Sequence, residues 1–143
     1  MIKLKIAVAF FWFVSFSFLS IAYAQLQVRE KVPGFITSTL EGKRIALKDY
    51  WEQQGKKVLV LSFFATWCQP CKEDLRYLQK VQDQHGDKGL HVVAVLTQDT
   101  SREDRVRNFM GELGVTLSVL MDEYGIIGKR YAVTAFPCSR GAL

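Results

Sequence analysis

Apolar residues gather into two short, nearly unbroken runs, residues 58–64 (VLVLSFF) and residues 92–97 (VVAVLT). Both are rich in β-branched side chains, the pattern of strands covered on both faces. Between them Cys71, Leu75, Leu78 and Val81 recur at i, i+4, i+7 and i+10, one stripe of a helix, with Lys72, Glu73, Arg76 and Lys80 outside it. Strand, helix, strand predicts a parallel pair joined by a right-handed crossover. Further on, Ser101 and Asp104 have the spacing of a capping pair, Val106, Phe109, Met110 and Leu113 repeat the helical interval, and Gly114 ends it. Residues 115–120 read as another strand and residues 124–131 as a short helix. The order predicts an α/β fold with a sheet flanked by helices.

The chain begins with a different pattern. Lys3 and Lys5 precede an apolar stretch over residues 6–21 broken only by serines, and Ala22-Tyr23-Ala24 stands before Gln25. That is the charged, apolar, small-x-small order of a secretory signal, with cleavage expected after Ala24. An uncleaved anchor over residues 6–21 is the alternative, because this run is only a little short of the roughly 20 residues that span a bilayer. Either reading puts the remainder, residues 25–143, outside the cytoplasm, in the periplasm, where disulfides persist. Those residues have a single-domain length, enough to bury about two thirds of the unfolded surface.

Charge excludes one class of partner. The whole chain carries +5; without Lys3 and Lys5 there are 17 Lys and Arg against 14 Asp and Glu, or +3. This is too mild for a nucleic-acid protein, and no basic cluster is interleaved with aromatics. Internal repeats and Pro/Gly/Ser linkers are also lacking, so no second domain is expected.

The chemistry concentrates at Cys68-Gln69-Pro70-Cys71, where the first apolar run ends and the helical stripe begins. Pro70 suits a first helical turn because its missing N–H has no intrahelical partner there. Cys68 then lies over unpaired backbone N–H groups and the positive end of the helix dipole, which stabilise a thiolate. Lowering a thiol pKa from about 8.5 to about 7 takes roughly 2 kcal/mol, within the range of CxxC sites. Other uses of the pair stay open. As a structural staple it closes so small a loop that chain entropy yields only about 2 kcal/mol, against about 4 for long loops. A zinc site lacks a second CxxC, since Cys138, His85 and His91 are isolated in the sequence. Copper(I) suits two thiolates, with Cys138 as a third soft ligand. No resident cofactor is expected.

Several segments together resemble a known family. Val32-Pro33-Gly34-Phe35, Leu40-Glu41-Gly42-Lys43, Leu47-Lys48-Asp49, residues 55–60 (GKKVLV), residues 63–71 (FFATWCQPC) and residues 131–137 (YAVTAFP) look, in order and spacing, like the secreted TlpA/ResA-type branch of the thioredoxin superfamily. The resemblance implies a thioredoxin-like sheet and a thiol-disulfide oxidoreductase. Cys68 would attack a client disulfide and Cys71, more buried one turn on, would resolve the mixed disulfide. Trp67 would shield the sulfurs and offer a flat apolar contact; Pro137, if cis, would leave the backbone near Phe136 free to pair with an extended substrate segment.

Proton handling departs from thioredoxin itself. Six residues before the first cysteine, where thioredoxins usually carry a buried Asp, this chain has Ser62, which is no carboxylate base. Asp74, three after Cys71, matches a position where the ResA-like branch carries Glu, and a carboxylate there can take the proton of Cys71. Its alternative is a solvated first-turn acid that complements the helix dipole, which is also how Glu73 reads.

Gln69-Pro70 holds no histidine to stabilise a reduced thiolate strongly, so a reducing couple is expected, nearer thioredoxin at about −270 mV than DsbA at about −120 mV. The resemblance implies protein disulfide substrates, such as the CxxCH disulfide of apocytochrome c or thiols of copper-site proteins, and a membrane electron donor of the DsbD/CcdA kind. After Pro137 the chain reads Cys138-Ser139-Arg140-Gly141-Ala142-Leu143, where relatives would continue with a hairpin and a closing helix. A domain incomplete in this way would leave residues 58–64 as a bare apolar edge, open to aggregation or to a second chain in a dimer. Cys138, the odd cysteine, would then belong to a frayed end, pair with Cys68, bind copper or link two chains.

Overall fold

The computed structural model describes residues 32–55 and 58–142, the side chains of residues 53, 54 and 138–142 aside. The expected signal over residues 1–24, and its alternative as an anchor, lie outside the described residues. Among the described residues no helix is long and apolar enough to cross a membrane. The elements are β1 Ile36–Thr39, β2 Arg44–Ala46, α1 Leu47–Gln54, β3 Val58–Phe64, α2 Gln69–His85, β4 Leu90–Thr97, α3 Glu103–Leu113, β5 Ser118–Asp122, α4 Ile126–Arg130 and β6 Cys138–Ala142.

The two apolar runs become neighbouring parallel strands, paired from Val58 with Leu90 to Phe64 with Leu96. β5 continues the parallel set beside β4, and antiparallel strands close both sides to give the order β2-β1-β5-β4-β3-β6. Successive side chains of a strand face opposite ways, so two cores form. Val92, Ala94 and Leu96 share one with Cys71, Leu75 and Phe109; Val93 and Val95 share the other with Leu59, Leu61, Phe63 and Leu47. Covering on both faces is why β3 and β4 read as unbroken apolar runs rather than as alternation.

The edge expected to be bare is covered. β6 runs antiparallel along β3, from Cys138 opposite Phe63 to Ala142 opposite Leu59. A strand rather than a frayed end follows Pro137, and the same chain does what a second chain was expected to do.

Three boundaries move for local reasons. The strand read at residues 115–120 is β5, Ser118–Asp122. Gly114, at φ +66°, lets its own N–H reach Gly111 O and that of Val115 reach Met110 O, both at 3.0 Å, a helix-ending motif that delays the sheet. The helix read at residues 124–131 shrinks to α4, where the Asp122 carboxylate accepts from the N–H groups of Ile127 and Gly128 and so fixes its start. The Ser101–Asp104 capping pair does not form: α3 starts at Glu103 behind Arg102, with no side-chain cap.

The segment before β1 is tied to the end of α4. Arg130 Nη1 donates to Gly34 O at 2.7 Å and the Tyr131 hydroxyl to Pro33 O at 2.9 Å. The Tyr131 ring meets Phe35 edge-on and Phe63 at a tilt, and burial pushes its hydroxyl pKa up to about 12. Two motifs a hundred residues apart in sequence are thus one structural joint.

Candidate active site

β3 delivers the chain to a turn over residues 65–68, closed by Cys68 N–H to Ala65 O at 3.1 Å. Cys68 is the N-cap of α2, in extended backbone, with Pro70 inside the first turn. Its Sγ accepts from the Cys71 N–H at 3.3 Å, satisfying one of the donors a helix start leaves unpaired. Cys68 and Cys71 are joined as a disulfide. Cys71 is fully buried at 0% exposed and Cys68 is at 5%. With the bond closed, neither cysteine offers much surface.

Trp67, 62% exposed, is a surface group and not a core aromatic. Its ring stands edge-on to Phe136 with centroids 5.7 Å apart. The Phe136–Pro137 peptide bond is cis, and Phe136 packs against the core that contains both cysteines. Trp67 and Phe136 therefore meet beside the turn that carries Cys68, with Pro137 next to Phe136 in the chain. Beside them opens a cleft of about 590 Å³ between Trp67, Asp99, Arg105 and Phe109.

The acids of α2 sit differently from the first-turn reading. No acid lies in the first turn; Glu73 is exposed in the second, and Asp74 beside it is partly buried. Asp74 Oδ2 accepts from the hydroxyl of Ser62 at 3.3 Å. Cys71 and Asp74, three apart, share one helix face.

A second polar cluster escaped the sequence reading. Asp99, just beyond the end of β4 and only 6% exposed, accepts through Oδ2 from the backbone N–H of Thr66 at 2.7 Å and its hydroxyl at 2.6 Å. Oδ1 takes the N–H of Ser101 at 2.9 Å, and the Ser101 and Thr66 hydroxyls are 3.2 Å apart. Burial raises the pKa of the Asp99 carboxyl, but the bonds from Ser101 and Thr66 outweigh it and hold the group below its ordinary value. Asp99 thus clamps the turn that carries the cysteines. Ser101, read as a helix cap, is spent here instead. The available signal was positional, a polar residue at the carboxyl end of a buried parallel strand, where α/β folds build their sites.

For metals, no group of three or more His, Cys, Asp and Glu side chains converges among the described residues. The His91 ring nitrogen is 2.8 Å from the Tyr50 hydroxyl, and His85 lies in the last turn of α2. The Cys138 side chain lies outside the described atoms.

The chain is similar to known proteins in sequence and in fold. The thiol-disulfide oxidoreductase ResA of Bacillus thuringiensis subsp. konkukian is 32% identical over 115 residues, which is 80% of this chain and 63% of ResA. The thioredoxin-like protein YneN of Bacillus subtilis is 38% identical over 113 residues, 78% of this chain and 63% of YneN. The chain thus spans about 63% of the length of these curated relatives. A Chlorobium tepidum structure assigned as a thiol:disulfide interchange protein DsbE superposes with a TM-score of 0.65 at 28% identity, covering 77% of this chain and 73% of that one. The thioredoxin domain of a Bacteroides vulgatus thiol-disulfide oxidoreductase gives 0.68 at 21% identity, covering 82% of each, which speaks for the thioredoxin fold alone. The AhpC/TSA family matches residues 28–140, a span running from before β1 into β6 and through both cysteines, and the chain belongs to that family.

Proposed function

We propose that this chain is an extracytoplasmic thiol-disulfide oxidoreductase that reduces protein disulfides through Cys68 and Cys71. The observation that carries the reading is the Cys68 sulfur at the amino end of α2, accepting the Cys71 N–H at 3.3 Å and within bonding reach of the Cys71 sulfur. A sulfur there has its anionic form stabilised by the helix dipole and by a donor already aimed at it.

The reduced protein attacks with the Cys68 thiolate. One client sulfur becomes bonded to Cys68; the other leaves as a thiolate and takes a proton from water. Cys71 then gives its proton to Asp74 and attacks Cys68, forming the disulfide and releasing the second client thiolate. Two electrons pass from the pair to the client. Trp67, Phe136 and Pro137 form the contact surface for an extended client segment, and the neighbouring cleft receives its side chains.

The names of the relatives support this chemistry. The apolar start of the chain supports export by a signal over residues 1–24, and Gln69-Pro70 supports a reducing couple. In an oxidising compartment such a couple is recharged by a membrane donor of the DsbD/CcdA kind; its clients are the CxxCH disulfide of an apocytochrome c or disulfides formed by the thiols of copper sites. The test uses the reduced full chain with insulin and with an oxidised CxxCH peptide. Stoichiometric reduction of both, with conversion of the protein to the oxidised form, is expected. A folded sample that reduces neither, and instead holds copper(I) through both thiols, would put a carrier in place of the enzyme.

A further inference from the structure

We propose that Ser62 is a positioning residue for Asp74, holding its carboxylate where it takes the proton of Cys71. The inference rests on the reading of Asp74 as the base in resolution. β3 is otherwise apolar, and its alternation puts Leu61 and Phe63 in one core and Phe64, with Ser62, on the side of α2. Ser62 is 1% exposed. A hydroxyl buried that deeply costs free energy unless it is paired, and the partner the structure gives it is Asp74 Oδ2 at 3.3 Å. The backbone around Ser62 belongs to the sheet, with Ala94 on one side and Ser139 on the other, so the serine is held rigidly while Asp74 on α2 is only partly buried.

The physical consequence is directional. A partly exposed carboxylate has several rotamers, and fixing one costs side-chain entropy that a bond from a rigid donor offsets. The bond also ties the acid to the strand that feeds the cysteine turn. Ser62 thereby occupies the position of a buried base without being one: it transfers no proton and acts only through Asp74.

Single-turnover kinetics on the full chain, with Cys138→Ser to remove the odd thiol, separate the steps. Asp74→Asn is expected to slow resolution of the preformed mixed disulfide about 100-fold, within the range of general-base effects. Ser62→Ala is expected to slow the same step about 3- to 10-fold while alkylation of Cys68 stays within about twofold of the parent. In the Asp74→Asn background, Ser62→Ala should change resolution by less than about twofold, because the two act as one unit. Ser62→Thr, which keeps the hydroxyl, is expected to restore most of the rate; it replaces Ser62→Ala in the cycle if the alanine chain does not unfold cooperatively, and slow resolution in a folded Ser62→Thr chain overturns the assignment. So does an equal loss from Ser62→Ala with and without Asp74, or none at all. Normal resolution in Asp74→Asn would instead remove the base itself while leaving the cysteine chemistry standing.

Discussion

Cys68→Ser is expected to lose at least about a thousandfold in disulfide reduction, roughly 4 kcal/mol of transition-state stabilisation, because serine at its free pKa is a poor nucleophile. Cys71→Ser should fail differently. Its Cys68 still caps α2, so the first attack proceeds and the reaction stops at a covalent mixed disulfide. In a Cys138→Ser background, where no third thiol can resolve it, this species accumulates to near one equivalent per chain. Mass spectrometry under non-reducing conditions reads both results. Turnover by Cys68→Ser, or client release from Cys71→Ser at the parent rate, would reverse or abolish the assigned roles.

Asp99→Ala has the largest expected effect on stability, a loss of about 2–4 kcal/mol near neutral pH. It strands the part-buried backbone N–H of Thr66 and that of Ser101, and unpaired donors shielded from water are costly. The pH dependence has a definite sign. The folded carboxyl titrates below its ordinary 3.8, so folding favours the ionised form. Its contribution is complete above that ordinary value and is lost as pH falls through the lower folded value. Urea unfolding of the oxidised protein should show the gap between parent and variant at pH 7 and a smaller one as pH drops below about 4. A gap that stays constant, or one under about 0.5 kcal/mol at pH 7, would mean that the clamp does not hold the turn.

What the sequence disclosed was set by burial. β3, α2 and β4 were legible because two-sided or one-sided covering writes a period into the chain, and the CxxC at their junction took its address from that period. β1 and β2 are four and three residues long and largely half-buried, too short and too mixed to carry a pattern. β6, Cys138-Ser139-Arg140-Gly141-Ala142, has no strand signature at all; the edge of β3 recruits it, as tertiary context commonly overrides strand propensity. Asp99 and Thr66 are 33 positions apart and meet only because β3 and β4 are parallel and in register. Ser62 and Asp74 could each be singled out by position, but the bond between them depends on how α2 lies on the sheet, which no local spacing encodes.

The rate of Cys68 alkylation by iodoacetamide against pH, on the reduced Cys138→Ser protein, bears most directly on the central claim that the helix start holds this sulfur as a reactive thiolate. A midpoint well below the ordinary thiol value of about 8.5, with rapid labelling at pH 7 and Cys71 unlabelled, is the predicted result. A midpoint at the ordinary value with slow labelling at pH 7 would contradict it.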